Sequence, residues 1–201
     1  MIAVVNMDIA GQRLKFTPLQ YSNIYKHFEW NNDPELNRLD SEMPFIEEAF
    51  GDFKKRFEEM LYHPHPNSLD FEIHLNDGTL IGVAYISDVS EHNRHCHASF
   101  TIGDRNFWGK GYGREAMDVI LGYCFNELGM HLVMTDTFEY NQAWRRLVDW
   151  AGFEHQGTIS DYLFRDGEYW SKEIYGMDEG RFAEMRSTLR QHQVHANGIE
   201  R

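Results

Sequence analysis

Cysteine is scarce in this sequence, and long apolar runs are missing from it. Only Cys96 and Cys124 occur among 201 residues. Two cysteines are too few for a disulfide scaffold, and their spacing matches no metal site. This scarcity predicts a reducing cytoplasm. No stretch approaches the ~18 apolar residues that cross a bilayer. Residues 1–5 form neither a basic region nor a long apolar core, so we expect no signal peptide there.

Basic residues are also in short supply. Nineteen Lys and Arg stand against 32 Asp and Glu, which gives a formal net charge of −13. This balance argues against binding to nucleic acid or to anionic membranes, because both need positive potential, and it favours cationic partners. Aromatic residues, in contrast, make up 14% of the chain. They supply enough apolar area for a folded core and exclude a disordered chain.

The chain shows no repeat, low-complexity segment or flexible linker. We therefore expect one domain over residues 1–201, with a core at about 11–177 and a C-terminal helix and tail at 178–201. Strand alternation and helical periodicity predict an α/β (α+β) fold with a mixed sheet and helices on both faces. The predicted strands span 11–20, 69–75, 80–87, 95–103, 131–138, 153–159 and 169–175, and the predicted helices span 21–29, 46–62, 114–128, 141–151 and 178–193, followed by a loose end.

A glycine-rich segment, Trp108–Gly113, separates a predicted strand from a predicted helix and reads Trp-Gly-Lys-Gly-Tyr-Gly. Alternating glycines let backbone N–H groups converge, and the start of a helix adds unpaired donors and a positive dipole, which predicts a site for phosphate or pyrophosphate. Residues 94–114 carry four basic side chains and one acidic one, a local net charge of +3. The spacing fits neither a P-loop nor the dinucleotide fingerprint. From the loop alone, a tight turn without a ligand stays open.

This segment resembles the hallmark of the GNAT superfamily of acyl-CoA-dependent N-acetyltransferases, (Gln/Arg)-x-x-Gly-x-(Gly/Ala). Its amino-acid sequence, together with the following Glu115-Ala116, is similar to the sequences of one branch of that superfamily, the ribosomal-protein N-terminal and spermidine acetyltransferases. A second block of that branch is in register at Asn141, Arg146, Asp149, Gly152 and Phe153, and the hairpin at 162–175 agrees. The resemblance covers about 11–177. It implies a mostly antiparallel sheet of about seven strands and acetyl transfer from acetyl-CoA, in a ternary complex, to a primary amine.

The resemblance also implies roles for individual residues. The amides of 109–114 would hold the pyrophosphate of CoA, the strand backbone at 101–103 would pair with pantetheine and polarise the thioester carbonyl, and Asn141 would bond the pantetheine arm. Lys110, Arg114, Arg145 or Arg146 would meet the outer phosphates; a solvated helix charge is the alternative for each. The residues assigned to the cofactor are Thr101, Ile102, Gly103, Trp108, Gly109, Lys110, Gly111, Tyr112, Gly113, Arg114, Asn141 and Arg146.

The acid and the base are less well defined by the resemblance. Relatives that carry a Tyr or Ser acid on the helix after Asn141 have it where this chain has Val148 or Trp144. An acid is dispensable if the thiol, with a pKa of ~8.5, leaves unaided. Our catalytic candidates are His97 and Asp136 as bases and Tyr140 as acid. Each has a structural alternative: His97 as a partly exposed strand histidine, Asp136 as a polar group at a strand end, and Tyr140 as a packing residue. A CoA-binding protein without catalysis is the alternative function.

The acceptor side is predicted between the first two long strands. Residues 28–62 hold ten acids and four bases, a net charge of −6, which favours a polyamine, an aminoglycoside-like molecule or a protein N-terminus; a solvated helix face is the alternative. Glu42 would attract the amine, and Trp30 and Phe45 would supply apolar walls. The run His92–His97 suggests a metal site, but alternation turns Cys96 away from its neighbours, so we expect no metal. The resemblance also allows a homodimer.

Overall fold

The computed structural model describes residues 8–198, and side chains up to residue 188. The segment 1–5, where we expect no signal peptide, and residues 199–201 of the predicted loose end lie outside the described residues. None of the helices in the described part of the chain is both long and apolar enough to span a membrane.

Eight strands of the described residues form one sheet in the order β1-β2-β3-β4-β5-β6-β8-β7. All neighbouring pairs are antiparallel except β5 and β6, which run parallel. The predicted mixed, mostly antiparallel sheet is confirmed, with one more strand than predicted, because the two-residue β1 pairs with β2. The strands are β1 (Ile9–Ala10), β2 (Leu14–Pro18), β3 (Leu69–Leu75), β4 (Leu80–Ser90), β5 (His95–Thr101), β6 (Leu132–Phe138), β7 (Glu154–Arg165) and β8 (Glu168–Asp178).

Helices cover both faces of this sheet, as strand alternation requires. Ala84 and Phe100 point into the main core, which includes apolar residues of α4 and α5. Their neighbours Val83 and Thr101 point to the other face, where Val83 packs with Trp30 and Leu36. The helices are α1 (Ile24–Asn31), α2 (Pro34–Asp40), α3 (Phe50–Tyr62), α4 (Tyr112–Gly122), α5 (Gln142–Ala151) and α6 (Glu179–Gly198).

The start of the helix predicted over 46–62 is wrong, since the helix begins only at Phe50, and Ile46 at the predicted start is 81% exposed. Glu48 explains the difference. Its backbone N–H donates to Asn32 Oδ1 at 2.9 Å, and its carbonyl accepts from Asn32 Nδ2 at 3.0 Å. These bonds tie the segment before α3 to the end of α1, and the helix starts after them.

Candidate active site

The sheet splits between its two parallel strands. β5 and β6 pair only from His95–His97 to Leu132–Met134. Beyond that point β5 continues beside β4 as far as Thr101, while β6 continues beside β8 as far as Phe138. The separating strands open a cleft of about 490 Å³, and Ser99, Thr101, Asp136 and Thr137 from the two strands line it.

The glycine-rich loop lies at this cleft and ends in α4. Gly111 is the N-cap of α4 and adopts φ 82°, a left-handed conformation that favours glycine. No side chain caps this helix start, so the N–H groups of its first turn are available to a ligand. This arrangement suits an anion.

Arg13, which the sequence did not single out, supports the loop from the bend just before β2. Its Nη1 donates to the carbonyl of Lys110 at 3.1 Å, and its Nε donates to Glu115 Oε2 at 2.7 Å. The guanidinium also lies 4.4 Å from the ring centre of Tyr112. Arg13 lies 97 residues before Lys110 in the sequence, so no local pattern could reveal it.

Most of the residues predicted to bind the cofactor line the cleft, and three do not. Those at the cleft are Thr101, Ile102, Trp108, Gly109, Gly111, Gly113, Arg114, Asn141 and Arg146. Lys110 and Tyr112 contact Phe107 instead. Gly103 is buried beside Trp30, and a Cβ atom there would lie 2.3 Å from Cδ2 of that indole. Close packing against Trp30 therefore explains this glycine.

The positive charge of residues 94–114 is not all at the loop. Arg94 pairs with Glu179, and Arg105 pairs with Asp33, each at 2.5 Å. The charge of +3 counted over this segment is therefore not concentrated at the loop, because these two arginines pair with acids outside the segment. Arg114 and Arg146 line the cleft and are exposed.

Arg145 does not face the cleft. Its Nε lies 2.9 Å from Glu173 Oε2, and the phenol of Tyr175 and the Glu173 carboxylate raise its pKa. Asn141 lies in the cleft wall, where its Oδ1 accepts from the backbone N–H of Trp144 at 3.1 Å and its Nδ2 donates to the Leu39 carbonyl at 3.2 Å. An amide has a second lone pair and a second N–H, so Asn141 keeps capacity for one more partner on each side.

Two predicted catalytic residues, proposed separately as bases, are brought together at the split. His97 Nε2 lies 2.7 Å from Asp136 Oδ1, and Lys172 Nζ lies 3.1 Å from Asp136 Oδ2. Burial acts to raise the pKa of Asp136, but the hydrogen bond and charge of His97, together with Lys172, outweigh it and lower the pKa. Asp136 lines the cleft, whereas His97 reaches it through Asp136.

Lys172 also links this pair of residues to Glu42. Lys172 Nζ lies 2.8 Å from Glu42 Oε1, and the hydroxyl of Tyr162 donates to the same oxygen at 2.9 Å. The hydrogen bond from Lys172 lowers the pKa of Glu42. Glu42 is thus already paired, and among the described residues neither it nor Phe45 lines a cavity at the split.

The hydroxyl of Tyr140 is directed away from the cleft. It donates to the Arg38 carbonyl at 2.6 Å and accepts from Arg165 Nη1 at 2.8 Å, and burial raises its pKa. Arg165 also donates to the carbonyls of Ser41 and Met43 at 2.9 and 3.0 Å. Tyr140 and Arg165 therefore hold the segment after α2, and we no longer assign Tyr140 the role of acid.

Helix α5 offers no proton donor of the usual kind. Val148 is fully buried, and Trp144 packs on Phe100 with ring centres 4.9 Å apart. No tyrosine or cysteine is found among the described residues that line the cleft. A thiolate leaving here would do so without a phenol or a thiol beside it.

A second cavity of about 240 Å³ adjoins the cleft on the α1–α3 side. Leu36, Asp40 and Thr101 line both spaces. Trp30 lines the second one, as predicted for an acceptor wall, with further aromatic residues around it. The other ring-bearing residues of this acceptor cavity are His27, Phe53, Phe57 and Tyr85.

Cations from outside the acidic segment 28–62 offset half of its excess charge. Six of its ten acids lie beside a cation, three of them with partners from outside the segment. The pairs are Glu29–Lys26, Asp33–Arg105, Glu42–Lys172, Glu48–Arg56, Asp52–Lys55 and Glu58–Lys54. The net charge of −6 therefore does not describe the field at the acceptor cavity.

Asp40 is a site residue that sequence reasoning did not distinguish from the other acids around it. It ends α2 and faces both cavities, and Thr101 Oγ1 donates to its Oδ2 at 3.3 Å. The side chain is exposed to solvent in the two openings, but the protein packed around them limits its hydration and raises its pKa; the Thr101 hydrogen bond opposes this rise, and the charge of Asp136 adds to it.

Two residues of the run that suggested a metal, Cys96 and His97, have other partners. His97 bonds Asp136, and Cys96 is buried with its Sγ 3.7 Å from Cys124 Sγ. Within the described residues, no group of three or more His, Cys, Asp or Glu side chains is arranged to hold a metal ion.

Comparison with known proteins is consistent with this geometry. The family described as acetyltransferase (GNAT) domain matches residues 13–154. The ribosomal protein uS5-alanine N-acetyltransferase of Escherichia coli is 32% identical over 91 residues, 45% of this chain and 46% of that protein. The chain thus matches less than half the length of that curated relative. An uncharacterised N-acetyltransferase of Bacillus subtilis is 21% identical over 86% of this chain and 98% of its own.

The same fold occurs in solved structures. The spermidine N-acetyltransferase of Vibrio cholerae, solved with CoA and spermine, superposes with a TM-score of 0.76 at 19% identity, covering 85% of this chain and 98% of that one. At this level of identity, the likeness shows a shared fold.

Proposed function

This chain belongs to the GNAT acetyltransferase family, and from that premise we propose that it transfers an acetyl group from acetyl-CoA to a primary amine. The observation that carries the proposal is the cleft between β5 and β6, with the uncapped start of α4 at its mouth. A further part of the proposal is that residues 1–201 form one acetyltransferase domain.

The residues of the cleft fit CoA. Its phosphates need N–H donors and cations, which the first turn of α4, Arg114 and Arg146 provide. The apolar sides of Phe100 and Trp144 suit the pantetheine arm. Bound acetyl-CoA would supply an activated thioester carbonyl, and we assign the amide that polarises it to the backbone of 101–103.

The remaining chemistry requires orientation and proton removal. An amine bound in the acceptor cavity would lie beside Thr101, on the opposite side of β5 from the α4 core. Asp136, kept ionised by His97 and Lys172, adds negative potential that attracts an ammonium group into the cleft. Because a thiol of pKa ~8.5 is an adequate leaving group, the missing phenol on α5 does not prevent transfer.

The relatives suggest two kinds of acceptor. One is named for the alanine N-terminus of a ribosomal protein, and the other for spermidine. We infer that the acceptor here is a polyamine, an aminoglycoside-like amine or a protein N-terminus, and the acceptor cavity supports a ligand whose buried part is small. The cavity has a volume of about 240 Å³. We also propose a reducing cytoplasm as the location, since both thiols are free and buried.

The test is thiol release from acetyl-CoA over a panel of amines, together with calorimetry of CoA and ATP. We expect CoA to bind and at least one amine to be acetylated. Gly111→Ala should weaken CoA binding at least tenfold, since φ 82° at the anion site strains any other residue. Gly167→Ala is the matched control, because Gly167 has φ 83° in the β7–β8 turn. ATP binding without CoA binding would overturn the proposal.

A second candidate function is a CoA-binding protein without catalysis. The buried Val148 and the packed Trp144, in place of an acid, favour it. It predicts CoA affinity with no thiol release for any amine, whereas turnover above the rate of the uncatalysed reaction would exclude it.

A further inference from the structure

We propose that Asp40 is the base that takes a proton from the acceptor amine, and that the amine reaches it through the acceptor cavity. The proposal rests on the proposed acetyl transfer and names the residue that performs one of its steps. Neither the glycine-rich loop nor the block after β6 points to this residue, because α2 belongs to neither.

The position of Asp40 is the first argument. It lies where the cofactor cleft and the acceptor cavity meet, and among the described residues Leu36 and Thr101 also line both spaces. Leu36 is apolar, and the Thr101 hydroxyl already donates to Asp40. Of the three residues at the junction, Asp40 is therefore the one that can accept a proton from an amine approaching the thioester.

The second argument is the contrast between the two carboxylates of the cleft. Asp136 is held by His97 and Lys172, and its pKa is lowered. Asp40 is given no cation by the described residues, and its pKa is raised by burial and by the charge of Asp136. Two carboxyl groups whose environments move their pKa values apart are suited to different roles. Asp136 stays charged and attracts the ammonium, while Asp40 exchanges protons.

The third argument is that Asp40 is held in place from outside the cleft. Arg165 Nη1 and Nη2 donate to the carbonyls of Arg38 and Ser41, on either side of Asp40 in sequence, at 2.7 and 2.9 Å. Asn141 Nδ2 donates to the Leu39 carbonyl at 3.2 Å. These bonds fix the backbone while leaving the carboxylate free to face the cavities, as a catalytic group requires.

The step balances as follows. Asp40 takes one proton from the ammonium group, and the nitrogen lone pair then forms the C–N bond to the thioester carbon. The C–S bond breaks with its electron pair on sulfur. The second N–H proton ends on that sulfur, and Asp40 returns its proton to water through the open cavity, so the products are an amide, a thiol and one released proton.

The experiment compares Asp40→Asn with the wild type, using the best amine from the panel at pH 7. We expect kcat/KM for the amine to fall at least about 100-fold, the lower end of general-base contributions, with CoA affinity unchanged within about twofold. The loss should shrink for an amine so weakly basic that it is neutral at pH 7. Glu47→Gln, an exposed acid that lines neither cavity, should behave as wild type.

A second variant, Asp40→Ala, guards against a folding defect. It should bind CoA normally, and added formate should restore part of its rate, because a small carboxylate can enter the space left by the side chain. Full activity of Asp40→Asn, or an equal loss for strongly and weakly basic amines, would overturn the assignment while leaving acetyl transfer intact. A wild-type protein that binds CoA but acetylates no amine would overturn both.

Discussion

Replacing Glu72 with glutamine should destabilise the protein by about 3 kcal/mol at neutral pH. Glu72 lies on β3 and is fully buried, and its carboxylate lies 2.9 Å from His27 Nε2 and 2.8 Å from His74 Nε2. It also accepts hydrogen bonds from Asn23 Nδ2 at 2.6 Å and from the backbone N–H of Gln20 at 3.0 Å. A neutral amide in the same place cannot accept all four bonds, so buried donors lose their partner.

The magnitude follows from the pKa of Glu72. Burial acts to raise it, but the hydrogen bonds from His27, His74, Gln20 and Asn23 outweigh burial and lower the pKa from 4.5 to about 2. At 1.36 kcal/mol per unit, a shift of roughly 2.5 units corresponds to about 3 kcal/mol of stability. Because the folded pKa is depressed, this stability is present above pH 4.5 and disappears as the pH falls toward 2.

His74 makes the stability depend on pH in the opposite direction. The hydrogen bond to Glu72 raises its pKa above 6.5, so its contribution is complete below pH 6.5 and is lost as the pH rises through the folded value. The two effects together predict greatest stability from this network between pH 4.5 and 6.5.

The assay is urea unfolding followed by tryptophan fluorescence at several pH values. The wild type should lose its Glu72 contribution between pH 4.5 and 2, and Glu72→Gln should be weaker at neutral pH and flatter over that range. Glu59→Gln, an exposed acid on α3, is the control. A loss below 1 kcal/mol at pH 7, with an unchanged m-value, would refute the reasoning.

Other changes test the loop, the packing and the acceptor side. Arg13→Ala should raise KM for acetyl-CoA about fivefold, or ~1 kcal/mol, with kcat unchanged, because the Lys110 carbonyl loses its support; an unchanged KM in steady-state kinetics would contradict this. Gly103→Ala should cost about 1–3 kcal/mol in urea unfolding, since its Cβ would meet the Trp30 indole at 2.3 Å; wild-type stability would show that the contact relaxes. Of two amines with equal charge, the one with an apolar group beside the reacting nitrogen should have the higher kcat/KM, and Asp40→Asn should weaken both; the reverse order would contradict the aromatic cavity as the acceptor site.

The fold could be predicted where the pattern is local. Helix α4 was recognised from apolar residues at spacings of three and four, and it begins at Tyr112, two residues before the predicted start, because Gly111 in its left-handed conformation ends the loop. Helix α3 was recognised in the same way, but its start was misplaced by four residues. The bonds from Asn32 to Glu48 decide that boundary, and they join residues that no periodicity relates.

The same division applies to the site. The glycine-rich loop was predictable because one short segment supplies its donors and its left-handed turns. The link between His97 and Asp136 was not, although each was proposed, because it depends on β5 and β6 lying side by side at the split. Lys172 arrives from β8, which pairs with β6 only after the chain has passed through α5 and β7.

Charge shows most clearly why a sequence count differs from a site. Segment 28–62 has six acids beside cations, so its net charge does not act at the acceptor cavity as a sum. A carboxylate that is paired with a cation has little charge left to attract a ligand. Asp40, at the junction of the two cavities, forms no ion pair with the described residues. We therefore propose that Asp40 recognises an ammonium group in the acceptor cavity, with Asp136 on the cleft side, while Arg56 in the cavity wall is paired with Glu48. Selection of one amine depends on the position of Asp40 in this cavity. The excess of acidic residues along the chain contributes mainly to long-range attraction of cations.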